Sequence, residues 1–171
     1  MATWAQFEEQ APDLAEVATR LWPGLVALHR GAVPTGPCFA IGYLATVRRD
    51  GSPRLHPICP VLAGGRLFAA IPLSSPKGRD LRRDPRCVIH ALPGPDDDEL
   101  CIRAMATEVT ADSSARALIR GVVAASGVGG MIESVSADPL FEFDLVQVDV
   151  ARWLDIGQPG TRAIRQRWLP R

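Results

Sequence analysis

The sequence carries no excess of charge: 19 Lys and Arg offset 19 Asp and Glu, so no global field draws it toward nucleic acid or an anionic membrane surface. Any electrostatic function must therefore be local. Apolar runs of the ~18 residues needed to cross a bilayer are missing. The first residues, MATWAQFEEQAPDL, are acidic where a secretory leader has a basic segment and then an apolar one. A soluble cytoplasmic protein is expected. Cysteine and histidine are scarce as well. Cys38, Cys59, Cys87 and Cys101 lie far apart in or beside apolar segments, with no C-x-x-C pair, which argues against zinc and reads as small buried thiols. His29 falls in a loop and His90 on an apolar strand, neither with a carboxylate or cysteine at metal spacing, so no metal is expected. The DDDE run at 96–99 lacks the alternating spacing of a calcium loop and reads as a solvated turn. GVGG follows a helical stretch instead of opening one after a strand, so a dinucleotide fingerprint fails, and no serine sits in a nucleophile elbow.

What is present is enough for a core: 171 residues, 47% of them hydrophobic, are expected to form a single domain over 1–171. In APDLAEVATRLW, Leu14, Val17, Ala18 and Leu21 recur at helical spacing and predict a short helix over 12–22, with Asp13 as a cap. PGLVALHRGAVPTGP reads as a connection, with LVAL as a minor strand or helical turn. From Phe39 the pattern becomes one of strands: FAIGYLATVRR, the Asp50-Gly51 turn, SPRLHPICPVL, the Gly64-Gly65 turn and RLFAAI. RCVIHALPG and LCIRAMATEVT supply two more, and ADSSARALIRGVVAAS a second amphipathic helix stopped by GVGG. FEFDLVQVDVARWLDI closes the set, and its phase slip from Phe141, Phe143 and Leu145 to Val146, Val148 and Val150 suggests a bulge near Leu145. The expected fold is mainly β with flanking helices (α+β): a small closed barrel of about six antiparallel strands, which the resemblance given below implies is a split β-barrel, spanning about 38–156 and followed by a tail over 157–171.

One stretch raises a chemical question. In SSPKGRDLRRDPR, Ser75 suits a helix cap and Pro76 the first helical position, yet Lys77 and Arg79 place cations in the first turn, where the dipole is already positive. Free N–H groups, the hydroxyls of Ser74 and Ser75, and the Lys77 ammonium together form a receptor for a phosphate group. The alternative is that Lys77 and Arg79 are solvated turn residues.

The order of DGSPRLHPICPV, GRLFAAI, SSPKGRDLRRDPRCVIHAL and LCIRAMATEV resembles the FMN-binding split-barrel family of the pyridoxamine 5'-phosphate oxidases, the K-G-R-x-L-x-x-x-P-R run most specifically. The resemblance implies a homodimer with FMN at its interface. By position, Ser75 and Lys77 are then cofactor-phosphate contacts, with Ser74 beside them in the same cofactor-binding set, and His56, Pro57 and Ile58 run beside the flavin ring.

The chain also departs from that family. His56 stands where the oxidases have a phosphate-binding arginine, and Pro76 replaces another arginine. Val61 replaces a lysine and Cys101 a cofactor-contacting glutamine. Arg54, Arg79 and Arg82 are the candidate replacements for the missing cations. The oxidases' C-terminal segment is not recognisable in IRQRWLPR, whose Arg165, Arg167 and Trp168 could fold over a partner's pocket or simply pack. The resemblance thus implies an FMN- or deazaflavin-dependent oxidoreductase acting on a small molecule other than pyridoxamine phosphate, with its catalytic residues unassigned. The alternative is a non-catalytic split barrel that holds flavin, deazaflavin or haem.

Overall fold

Asp50 and Gly51 turn the chain between β1 (Gly42–Val47) and β2 (Pro53–Ile58), in the register Val47↔Pro53 to Gly42↔Ile58. Gly51 adopts φ +84°, and the Asp50 carboxylate accepts from the Ser52 N–H at 3.0 Å. The computed structural model describes residues 2–32, 40–94, 96–109, 114–125 and 137–171. Cys38, the VPTGP segment and GVGG lie outside the described residues.

The apolar run after the hairpin, expected as one strand, is two. β2 ends at Ile58 and β3 (Pro60–Ala63) pairs instead with β4 (Arg66–Ala70). The prolines of β2 lie on its free side. The carbonyl of Pro57 accepts a bond from outside the sheet, which places the odd-numbered residues of β2 on its open edge. There, Pro53 and Pro57 forfeit no ladder bond, and they deny donors to any further strand. The remaining elements are α4 (Pro76–Arg83), β5 (Arg86–Ala91), β6 (Glu99–Val109), α5 (Ser114–Ala125), β7 (Leu140–Leu154) and β8 (Arg162–Trp168). β8 comes from the expected tail, so the described residues hold eight strands where about six were expected.

All eight form one antiparallel sheet in the order β2-β1-β5-β6-β7-β4-β3, with β8 added beside β7. The two ends of that order, β2 and β3, are consecutive in the chain, with only Cys59 between them. The sheet therefore curls into a barrel closed covalently at Cys59 and split in its hydrogen bonding there. β7 makes the curl possible: its first residues pair with β4 from Leu67↔Phe143 to Ala70↔Leu140, and its last with β8 from Val148↔Trp168 to Leu154↔Arg162. The anticipated bulge lies between these halves, because Arg103↔Gln147 is followed by Ala104↔Leu145, leaving Val146 unpaired.

Leu44, Leu62, Leu67, Ile89, Ile102 and Phe143 fill the barrel, and three short helices close one end of it. These are α1 (Trp4–Gln10), α2 (Pro12–Leu21) and α3 (Pro23–His29). Only α2 was expected from apolar spacing. Its cap is Ala11 with Pro12 at the first position, and Asp13 sits inside the first turn instead of capping it. α1 is set by a capping box between Thr3 and Gln6, and α3 takes up the LVAL segment and ends on His29, which hydrogen-bonds Glu8 at 3.0 Å. Trp4, Phe7, Trp22 and Trp168 stack around this plug. On the outer side of β3 and β4, α5 buries Ile119 and Val123 against Val61 and Phe68.

Two further expectations need correcting. Of the described cysteines only Cys87 is buried, while Cys101 is half-buried and Cys59, at the split, is exposed. The acidic turn is not wholly solvated either, since Asp98 is buried and accepts from Arg20 at 2.6 Å, tying the turn to α2.

Candidate functional site

The first turn of α4 packs at the corner where the sheet is split. Gly78 is buried there, and a Cβ on it would lie 3.3 Å from Cγ2 of Ile71, so the glycine of K-G-R lets the helix approach the preceding loop. Arg54, His56 and Ile58 share one face of β2, and α4 lies near them through its polar side chains.

The tie between helix and sheet is Asp80. It is 4% exposed and accepts from Nε of Arg54 at 2.6 Å, from the buried Thr46 hydroxyl at 3.1 Å and from Nη2 of Arg83 at 3.2 Å. Burial pushes its carboxyl up, but these bonds outweigh that and hold it below the usual carboxylate range. An acidic side chain inside so basic a segment was the available signal for this residue, and the run of cations obscured it.

The cations considered as replacements are thereby largely engaged. Arg54 is paired with Asp80, Arg82 with Glu108 at 2.6 Å, and Arg79 donates to the Ser74 carbonyl at 3.0 Å. Lys77 differs. It is half-buried, its ammonium donates to the Pro57 carbonyl at 2.7 Å, and it has no carboxylate partner among the described residues. Burial lowers its pKa. An ammonium whose sole described partner is a neutral carbonyl retains two donors and an unbalanced charge.

Of the other expected site residues, His56 is half-buried, and its Nε2 is fully buried without a hydrogen-bond partner among the described residues. Burial, then Lys77, then Arg54 lower its pKa, which favours the neutral ring. Pro57 contributes the carbonyl that Lys77 holds, whereas the Ile58 side chain is part of the core. Ser75 stands at the cap position, but its hydroxyl makes no capping bond; only its carbonyl accepts, from the Gly78 and Arg79 N–H groups. The expected Ser75 cap is therefore not formed, because the side chain does not turn onto the helix, and its oxygen is left for another partner. Ser74 is exposed. The structure thus brings Lys77, Pro57 and His56 together, with Ser75 on the same turn as Lys77 and Ile58 facing inward.

The other two histidines lie elsewhere. His90 donates from Nδ1 to the Ala91 carbonyl, 2.6 Å away, and borders a cavity of about 490 Å³ with Glu99, Cys101 and Asp149. Among the described residues no group of three or more His, Cys, Asp or Glu is placed to hold a metal ion, and no helix is long and apolar enough to cross a membrane.

Comparison with known proteins agrees with this architecture. Residues 38–157 match the family described as pyridoxamine 5'-phosphate oxidase. No curated protein sequence matches the chain. Among solved structures, the haem storage protein HutZ of Vibrio cholerae is 20% identical over 74% of this chain and 90% of its own, with a TM-score of 0.55. A haem-binding protein of Mycobacterium smegmatis is 18% identical over 87% of this chain, with a TM-score of 0.60, and this chain covers 57% of it. ChuZ of Campylobacter jejuni is 15% identical over 74% of this chain and 54% of its own, with a TM-score of 0.59. At such identities the likeness is one of fold.

Proposed function

Because this chain belongs to the pyridoxamine 5'-phosphate oxidase family through residues 38–157, we propose that it binds FMN at the corner formed by β2 and the first turn of α4. The carrying observation is Lys77, a half-buried ammonium with a carbonyl but no carboxylate beside it among the described residues. A phosphate at that helix start would receive the two remaining ammonium donors, the Ser75 hydroxyl and the positive end of α4. His56, neutral and with an unpartnered buried nitrogen, would take the place of an arginine as a hydrogen-bonding group without charge. When bound, the flavin supplies hydride or electron transfer; the protein holds and orients it.

The ligand set has fewer cations than the family pattern, since Arg54 and Arg82 are engaged with carboxylates. Weaker FMN binding than in the oxidases follows, as does a substrate other than pyridoxamine phosphate. A deazaflavin would make the same use of Lys77 through its own phosphate. Haem is the second reading. His90 favours it, since its Nδ1 donates to a backbone carbonyl and its ring borders the 490 Å³ cavity, so its other ring nitrogen would be available to hold a haem iron.

The reading is tested by titrating purified protein with FMN and following flavin fluorescence. Quenching at micromolar FMN is expected, with at least tenfold weaker binding in Lys77→Ala, as for a lost charge-assisted bond of about 1.5–3 kcal/mol. Equal affinity in the variant would remove Lys77 from the site. A haem titration that yields a Soret shift abolished by His90→Ala, with no response to FMN, would support the second reading instead.

A further inference from the structure

The Lys77 corner holds more positive charge than it presents to a ligand. His56 registers the balance: burial, then Lys77 and Arg54, lower its pKa, Asp80 raises it, and Arg48 lowers it further. Three cations and one carboxylate are therefore close enough to act on this ring. Asp80, the carboxylate, is the buried member, and a charge held out of water is little screened by salt.

Arg54 is the cation that Asp80 masks. It stands two residues before His56 on the same face of β2, about 7 Å away. Its Nε donates to Asp80 at 2.6 Å, whereas its terminal nitrogens make no hydrogen bond among the described residues. The carboxylate thus orients the guanidinium and cancels its charge, while the outer N–H groups of the fork remain unused. Arg83, at the other end of α4, shares the carboxylate at 3.2 Å and also donates to the Val47 carbonyl. One buried anion therefore governs how much of the charge beside His56 a guest can feel.

We infer that Asp80 sets the charge selectivity of the corner: by cancelling Arg54 beside His56, it holds the affinity for a phosphorylated flavin below what the cations present would give. Asp80 touches no ligand in this account; it is a specificity-determining residue that acts through Arg54. The inference rests on the FMN reading and adds to it a reason why the phosphate is held less tightly than the local count of arginines suggests. The same bonds fix α4 to the sheet, so the residue exchanges affinity for stability.

Full-length wild type and Asp80→Asn are titrated with FMN and with riboflavin, which lacks the phosphate, and flavin fluorescence is followed. Asparagine keeps the shape of the side chain and an oxygen for Thr46. FMN is expected to bind at least about fivefold more tightly to Asp80→Asn, with riboflavin affinity unchanged. A carboxylate that only holds the corner together gives the opposite result, weaker FMN binding as the corner loosens. Should Asp80→Asn fail to fold, Arg54→Gln inverts the test. With Asp80 unmasked, FMN is expected to bind at least about fivefold more weakly and riboflavin as before, and unchanged FMN affinity would overturn the assignment. Lys77→Ala separates the two readings. FMN binding that depends on Lys77 but is equal or weaker in Asp80→Asn overturns the role of Asp80 and leaves the FMN site standing. Binding tightened by Asp80→Asn but indifferent to Lys77→Ala supports Asp80 and removes Lys77, and binding by neither protein overturns both.

Discussion

Substitution of Asp80 by Ala tests the claim that one carboxylate fixes α4 to the split edge of the barrel. The change removes the acceptor for Arg54, Thr46 and Arg83 at once. Thr46 is 2% exposed, and a buried hydroxyl left without a partner costs about 1–3 kcal/mol. Removing one member of a buried ion pair costs about 3–5 kcal/mol when the other stays dry. The Arg54 and Arg83 side chains are 24% and 38% exposed, however, so water would solvate much of their charge and the ionic share is discounted accordingly. A net loss of about 2–4 kcal/mol is expected, read in urea as a lower midpoint at unchanged slope. Asp80→Asn, which keeps an oxygen for Thr46, should lose about 1 kcal/mol less. The acid limb gives a second reading. Because the folded carboxyl titrates below its unfolded value, its contribution is complete above the unfolded pKa and disappears as pH falls through the folded one. Wild-type stability should therefore drop more steeply than that of Asp80→Ala below about pH 4. A loss under about 0.5 kcal/mol, or parallel acid limbs, would refute the idea that this carboxylate holds the corner together.

Two other outcomes can be checked simply. The outward face of the sheet leaves Leu55 62% exposed and Tyr43 42% exposed beside an apolar depression of about 430 Å³ lined by Ala45, Val88 and Met105, so a second copy is proposed to cover it. Light scattering should report a dimer that Leu55→Asp converts to monomer, and a monomeric wild type would refute the proposal. Gly65 has φ +73°, and a Cβ on it would lie 2.8 Å from that of Ala5 in α1, so Gly65→Ala should cost about 1–3 kcal/mol. An unchanged melting temperature would show that α1 yields freely.

The hairpin at Asp50-Gly51, the Gly64-Gly65 turn, α2, α4 and the bulge beside Leu145 were all legible in the sequence, because each is set by local pattern or turn chemistry. What escaped was tertiary in origin. α1 and α3 are two-turn helices whose burial against the barrel end, not their periodicity, sustains them. β8 exists because β7 offers it an edge, and a tail of alternating Arg, Gln and Ile gives little sign of that. At the candidate site, the placement of Lys77 in the first turn of a helix was readable, but its hold on Pro57 was not, since the two are brought together by the break at Cys59. The pairing of Arg54 with Asp80 was equally hidden, because charge counts do not say which ions meet.

That break at Cys59 also bears on the order in which the molecule is assembled. β1 finds β2 across the short connection 48–52, but β4 must wait for β7, and Leu67 meets a strand residue, Phe143, that emerges far later from the ribosome. Long loops are closed slowly, so the β4–β7 pairing, and with it the curled sheet, forms only near the end of synthesis. A nascent chain arrested before residue 140 would carry Lys77, Pro57 and the Asp80 ties in full yet leave β4 without its partner strand β7.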